Sequence, residues 1–178
     1  MSRPVILIYT GDGKGKSSAG IGQLVRALGH GARCKVAQFI KQAPELLQSG
    51  EYEILKRLGV EWRNWGAGFT WIAENDAKNR ALAAKGWETV QGWIEERSCD
   101  LILLDEFTYT LSLGYLAVDE VVRYLEERRG DDGFPHLVIT GRDAPEPLIA
   151  IADMVSSIEQ VKHHLYDREQ KAQPMIEF

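Results

Sequence analysis

The sequence predicts an α/β fold, a mostly parallel sheet covered by helices on both faces. Three observations lead to it. The short apolar runs Val5–Tyr9 (VILIY), Leu101–Leu104 (LILL) and Leu137–Thr140 (LVIT) have the continuous hydrophobicity of strands buried on both sides. Helical stretches alternate with these runs, and that order implies crossover connections between parallel strands. No internal repeat or low-complexity linker divides the 178 residues, so one domain over residues 1–178 is expected.

The elements follow in order. Strand Val5–Tyr9 runs into a glycine-rich turn and then a helix from Lys16 to Leu28, stopped by Gly29 and Gly31. Lys35–Ile40 (KVAQFI) is a second strand. Glu45–Leu58 is helical in character, with an interruption near Ser49-Gly50. Val60–Trp65 (VEWRNW) is a third strand, and Gly66–Trp71 a loop. A long helix covers Glu74–Glu96, with Ala81, Ala84, Trp87 and Ile94 among its apolar positions; Trp87 and Trp93 are expected in the core. After strand Leu101–Leu104 comes the amphipathic helix Val118–Arg129, closed by Gly130. Strand Leu137–Thr140, a short helix Pro145–Asp153 and a last strand Met154–Ile158 complete the series.

Composition narrows the function. The net charge of −5 leaves no basic footprint for nucleic acid. Cys34 and Cys99 have no metal-type spacing and no disulfide framework, which fits a reduced compartment. No apolar run approaches the ~20 residues that a membrane helix needs. A cytoplasmic protein without a membrane or nucleic-acid partner is the expectation.

Strand Val5–Tyr9, the segment Thr10-Gly11-Asp12-Gly13-Lys14-Gly15-Lys16-Ser17 and the helix after it form the strand–loop–helix setting of a phosphate-binding loop. Glycines let the loop curl so that backbone N–H groups face an anion, and the helix N-terminus adds its positive dipole end. Lys16 supplies a mobile cation, and the Ser17 hydroxyl can ligate Mg²⁺. ATP, or a close nucleoside triphosphate relative, is the expected ligand. Two features depart from the usual pattern. Thr10 stands where Gly is common, and Asp12 puts a carboxylate in an anion-binding loop, so its side chain is expected to point away from the phosphates.

Asp105-Glu106 ends the LILL strand. Such a pair can hold a metal ion opposite Ser17 or cap the following helix. Arg142, at the end of another strand in Thr140-Gly141-Arg142, either reaches the triphosphate or stays on the surface. Arg26, judged by spacing alone, is a solvated helix residue. Phe69 and Trp71 are two large rings in a glycine-flexed loop, where loops are usually polar; they either plug the core edge or serve a ligand. His163-His164 has no metal spacing, since adjacent residues rarely face one ion.

Together these segments resemble the corrinoid adenosyltransferase family. The resemblance runs through YTGDGKGKSSAG (Tyr9–Gly20), RALGHG (Arg26–Gly31), VAQFIK (Val36–Lys41) and GFTW (Gly68–Trp71). It continues in LLDEFTY (Leu103–Tyr109), TGRDAP (Thr140–Pro145) and VKHHLYD (Val161–Asp167). The phosphate loop alone is shared by many families; GFTW, DEFTY and the late VKH segment are far more specific.

The resemblance implies a three-layer P-loop (RecA-like) fold, usually homodimeric, that binds ATP with Mg²⁺ or Mn²⁺ and exposes the ribose 5′-carbon to a Co(I) corrinoid. It makes Thr10 a family feature and sets Phe69 and Trp71 beside the corrinoid, excluding an axial ligand. It implies nucleotide contacts from Gly11, Asp12, Gly13, Lys14, Gly15, Lys16, Ser17, Ser18, Arg26 and Arg142. Ser17, Asp105 and Glu106 would hold the metal, and Lys16, Glu106, Phe69 and Trp71 would carry the reaction. A flavodoxin-type reductant for Co(II) is an implied partner. Two differences stand out: some relatives carry an N-terminal extension over the site where only Met1–Pro4 precede the first strand here, and Asp12 replaces a frequent Asn. A P-loop ATPase or kinase, and a nucleotide- or corrinoid-binding module without turnover, are the competing expectations.

Overall fold

The computed structural model describes residues 3–41, 49–68, 73–163, 173 and 175–176. Its strands are β1 (Ile6–Thr10), β2 (Cys34–Phe39), β3 (Glu61–Trp65), β4 (Leu101–Asp105), β5 (His136–Thr140) and β6 (Met154–Ser157). The helices are α1 (Lys16–Gly29), α2 (Gly50–Arg57), α3 (Ala73–Glu95), α4 (Phe107–Ser112), α5 (Val118–Arg128) and α6 (Glu146–Ile151). The strands form one parallel sheet in the order β3-β2-β4-β5-β1-β6. This is the α/β arrangement expected from the alternating pattern, with β5 inserted between β1 and β4.

Alternation along each strand divides the core into two layers, because successive side chains leave a strand on opposite faces. Leu7, Val36, Leu101, Leu103 and Val138 point to one face, where Leu24 of α1 and Leu55 of α2 cover them. Ile6, Ile8, Ala37, Phe39, Ile102, Leu104, Leu137 and Ile139 point to the other, under α3, α5 and the short helices α4 and α6. Trp87 and Trp93 are buried in this second layer, as expected. Phe107 packs there between Phe39 and Trp87, with ring centroids 5.1 and 5.4 Å away.

Two differences from the sequence reading have local causes. Helix α2 begins at Gly50, where Ser49 caps it by accepting a hydrogen bond from Tyr52 N at 3.3 Å; the Ser49-Gly50 interruption is a helix start, and residues 42–48 lie outside the described residues. Helix α4 was not expected. Six residues are too few to show a helical period. Among the described residues no helix is long and apolar enough to cross a membrane.

Candidate active site

The phosphate loop leaves the carboxyl end of β1 and lies against the chain that follows β6. Ile158 N donates to Thr10 O at 2.8 Å, and Gly13 N to Ile158 O at 2.7 Å. A Cβ on Gly13 would fall 2.6 Å from Glu159 O, so only glycine allows this approach. Gly15, in the left-handed region at φ 111°, starts α1 without a side-chain cap, leaving the first-turn N–H groups to an anion. Thr10 has a use in its unusual place: its Oγ1 accepts from Ala144 N at 3.3 Å, tying the loop after β5 to the phosphate loop. Arg142, in that same loop, donates to Asp12 O at 3.2 Å. The Asp12 side chain is exposed.

Lys16 is buried and donates to Gly13 O at 2.6 Å. Burial, and then the charge of Arg142, lower its pKa, against the opposing pull of Glu106 and Asp12.

Beside it, at the carboxyl ends of β2, β4 and β5, lies a polar cluster centred on Lys41. Its Nζ is 2.8 Å from Ser17 Oγ, 3.0 Å from Asp105 Oδ2 and 3.2 Å from Glu106 Oε1. Gln38 Nε2 donates to Asp105 Oδ2 at 2.9 Å, and Thr140 Oγ1 to Asp105 Oδ1 at 2.7 Å. Thr140 Oγ1 also accepts from Glu106 N at 3.0 Å. Burial pushes the Asp105 carboxyl up, but Lys41 and the hydrogen bonds from Gln38, Ser17 and Thr140 outweigh it and hold the pKa at about 2. Glu106 goes the other way: burial raises it, helped by the Asp105 charge and opposed by Lys41. Burial would lower Lys41, but the two carboxylates raise its pKa.

Glu106 starts α4 from the left-handed region, at φ 58°, with no side-chain cap hydrogen bond. The capping alternative is therefore not what its carboxylate does here. Among the described residues no group of three or more His, Cys, Asp or Glu side chains forms a metal cage. A hydroxyl and two carboxylates nevertheless converge on one cation, the Lys41 ammonium. An oxygen set of this kind would suit Mg²⁺ or Mn²⁺.

The structure thus brings Gly11 to Ser17, Asp105, Glu106 and Arg142 to one rim of the sheet, and sets Ser18, itself exposed, in the first turn of α1. It does not bring Arg26 there. Arg26 sits in the last turn of α1, about 15 Å along the helix from Lys16, exposed and bonded to Gln23 Oε1 at 2.6 Å. Phe69, Trp71 and His164 lie outside the described residues.

The described residues 66–68, which precede Phe69 in the sequence, are anchored. Asn79, fully buried, accepts from Ala67 N at 2.8 Å and donates to Gly68 O at 3.1 Å, while Gly68 N donates to Ile40 O at 2.8 Å. Asn64 Nδ2 donates to Gln38 Oε1 at 3.0 Å, which joins this loop base to Asp105. Lys41, Thr140, Gln38 and Asn79 were given no role in the sequence reading. Lys41 and Thr140 could have been found, since both stand at strand carboxyl ends, where such sheets bind ligands.

A family model described as ATP:corrinoid adenosyltransferase BtuR/CobO/CobP matches residues 2–178. The corrinoid adenosyltransferase of Sinorhizobium sp is 40% identical over 177 residues, covering 98% of this chain and 80% of that protein. That of Escherichia coli (strain K12) is 37% identical over 179 residues, covering 99% and 86%. The corrinoid adenosyltransferase CobA of Salmonella typhimurium is 35% identical over 176 residues, again covering 99% and 86%. With this match over nearly its whole length, and with a glycine-rich loop, an acidic strand end and a parallel sheet in these places, the chain belongs to the ATP:corrinoid adenosyltransferase family.

Proposed function

We infer that this enzyme transfers the 5′-deoxyadenosyl group of ATP to the Co(I) centre of a corrinoid and releases triphosphate, through a single domain over residues 1–178. The observation that carries this reading is the convergence of Lys16, Ser17, Asp105, Glu106 and Arg142 on one rim in a chain of this family. In the reaction the Co(I) electron pair forms a bond to C5′, the C5′–O bond breaks, and its electrons leave with the triphosphate. Cobalt is the nucleophile, so the protein needs no serine, cysteine or general base for attack. Its tasks are to hold C5′ in line, neutralise the leaving group and exclude water.

Lys16, Arg142, the loop N–H groups and the N-terminus of α1 would take the triphosphate charge. Ser17, Asp105 and Glu106 would hold Mg²⁺ or Mn²⁺, whose chemistry is to neutralise phosphate charge. Phe69 and Trp71 would present an apolar face to the corrinoid. Arg26 would meet a nucleotide only through a different arrangement or another subunit. Family resemblance supports a homodimer and a flavodoxin-type reductant. Two buried free cysteines support a reducing, cytoplasmic setting.

Incubation with ATP, Mg²⁺ and chemically generated Co(I) corrinoid tests the reading. Adenosylated corrinoid and triphosphate should appear in equal amounts. ADP would mean phosphoryl transfer instead, and tight binding without product a non-catalytic module.

A further inference from the structure

Lys41 is held at the cluster by an unusual backbone. Ile40, a β-branched residue, lies at φ 64°, and Lys41 N donates to Phe39 O at 2.6 Å across it. A positive φ inside an i to i+2 hydrogen bond is the rarer, strained form of a γ-turn. Strain of this kind persists only where surrounding contacts over-determine it. Here Ile40 O accepts from Gly68 N, and Lys41 O from Asn64 Nδ2 at 3.2 Å. The turn aims Lys41 back across the rim, and its ammonium meets Ser17 Oγ and both carboxylates together. Gln38 and Thr140 already orient Asp105, so a lysine is not needed for that task. What the cluster lacks without Lys41 is positive charge in direct contact: two adjacent, largely buried carboxylates would otherwise face each other.

We propose that Lys41 is the resident cation of this site, its ammonium standing where the divalent ion would sit among Ser17, Asp105 and Glu106, and that metal entry displaces it. This rests on the assignment of those three residues as the ion's ligands. Lys41 then keeps the ligand set assembled between turnovers, and it weakens metal binding until a nucleotide adds its own phosphate oxygens. It is a positioning residue for the site, and its effect is read in metal affinity.

The test is Mn²⁺ binding without nucleotide, followed by the paramagnetic resonance of free Mn²⁺, in wild type and Lys41→Met. Removing the competing ammonium should tighten Mn²⁺ binding by at least about tenfold, equivalent to about 1.4 kcal/mol. Lys41→Met should also melt lower than wild type in chelator and recover with Mn²⁺. Equal or weaker Mn²⁺ affinity in Lys41→Met overturns the proposal. Wild type gives an independent reading should the variant not fold. Acetylation of Lys41, followed by peptide mass spectrometry, should rise when Mn²⁺ alone saturates the protein, and unchanged acetylation overturns the proposal. Ser17→Ala and Glu106→Gln, made in the Lys41→Met background, separate the two assignments. If they leave Mn²⁺ affinity intact, the ion binds elsewhere and the ligand set fails; if they abolish it while Lys41→Met matches wild type, only the role of Lys41 fails.

Discussion

Lys16 and Asp105 show how single side chains are tuned at the rim. Lys16 already lies on the loop it would serve, donating to Gly13 O at 2.6 Å. Binding a triphosphate exchanges that neutral contact for charged ones, each worth roughly 1.5–3 kcal/mol. Lys16→Ala should therefore lower ATP affinity by at least about tenfold in calorimetry and abolish turnover; a folded variant with unchanged affinity would remove the phosphate-loop assignment. Asp105 makes a stability prediction. Its carboxyl falls from an ordinary 3.8 to about 2 on folding, so the folded state favours the ionised form. That contribution is fully present above pH 4 and is lost as the pH falls through about 2. Asp105→Asn should cost about 2 kcal/mol in urea unfolding at pH 7, and the gap to wild type should narrow below pH 4. A gap that stays constant with pH would mean that shape, and not charge, makes Asp105 matter.

At the scale of elements, the site depends on how closely α1 lies on the sheet. A Cβ on Gly20 would stand 2.8 Å from Leu103 Cδ1 and 3.0 Å from Thr140 Cγ2. The helix that begins with Lys16 and Ser17 therefore rests on β4 and β5, the strands that end in Asp105 and Thr140. Gly20→Val should overpack this contact and cost about 1–3 kcal/mol, seen as a fall in melting temperature of about 2–4 °C per kcal/mol. It should also weaken ATP binding, because α1 carries the phosphate loop. Unchanged melting would mean that the helix can move off the sheet freely. Helix α4 works in the same way, its left-handed start at Glu106 turning the carboxylate toward Lys41.

For the whole molecule, the question is how the nucleotide rim joins the segment that would meet a corrinoid. The described residues lead from Asp105 through Gln38 and Asn64 to the backbone of residues 66–68, clamped by Asn79. Phe69 and Trp71 follow directly. A phosphoryl-transfer enzyme has no need of two rings here, whereas a corrinoid enzyme must keep water from cobalt, since an axial ligand makes reduction to Co(I) harder. Phe69→Ala and Trp71→Ala should leave ATP affinity nearly intact. Rates should fall most when Co(II) must be reduced on the enzyme, and less when Co(I) is supplied. Spectra of the Co(II)-bound variants with ATP should show less of the four-coordinate species. Wild-type Co(II)-dependent rates in both folded variants would make these rings core plugs and move the corrinoid site elsewhere.

The strand and helix order, the two-faced burial and the glycine-rich turn between β1 and α1 were legible in the sequence, because hydrophobic period and glycine turn chemistry belong to consecutive residues. Asp105 and Glu106 were visible for the same reason, as charges ending an apolar strand. The six-residue α4 was not, having no full period to display. Arg26 and Lys41 mark the limit most clearly. One lies within a quoted motif at the far end of its helix from Lys16; the other closes a motif that suggested no role. Only the tertiary structure sets Lys41 beside Ser17 and Asp105, 24 and 64 residues away in the chain. Such contacts depend on strand order and on one strained turn at Ile40, and neither is written in local periodicity.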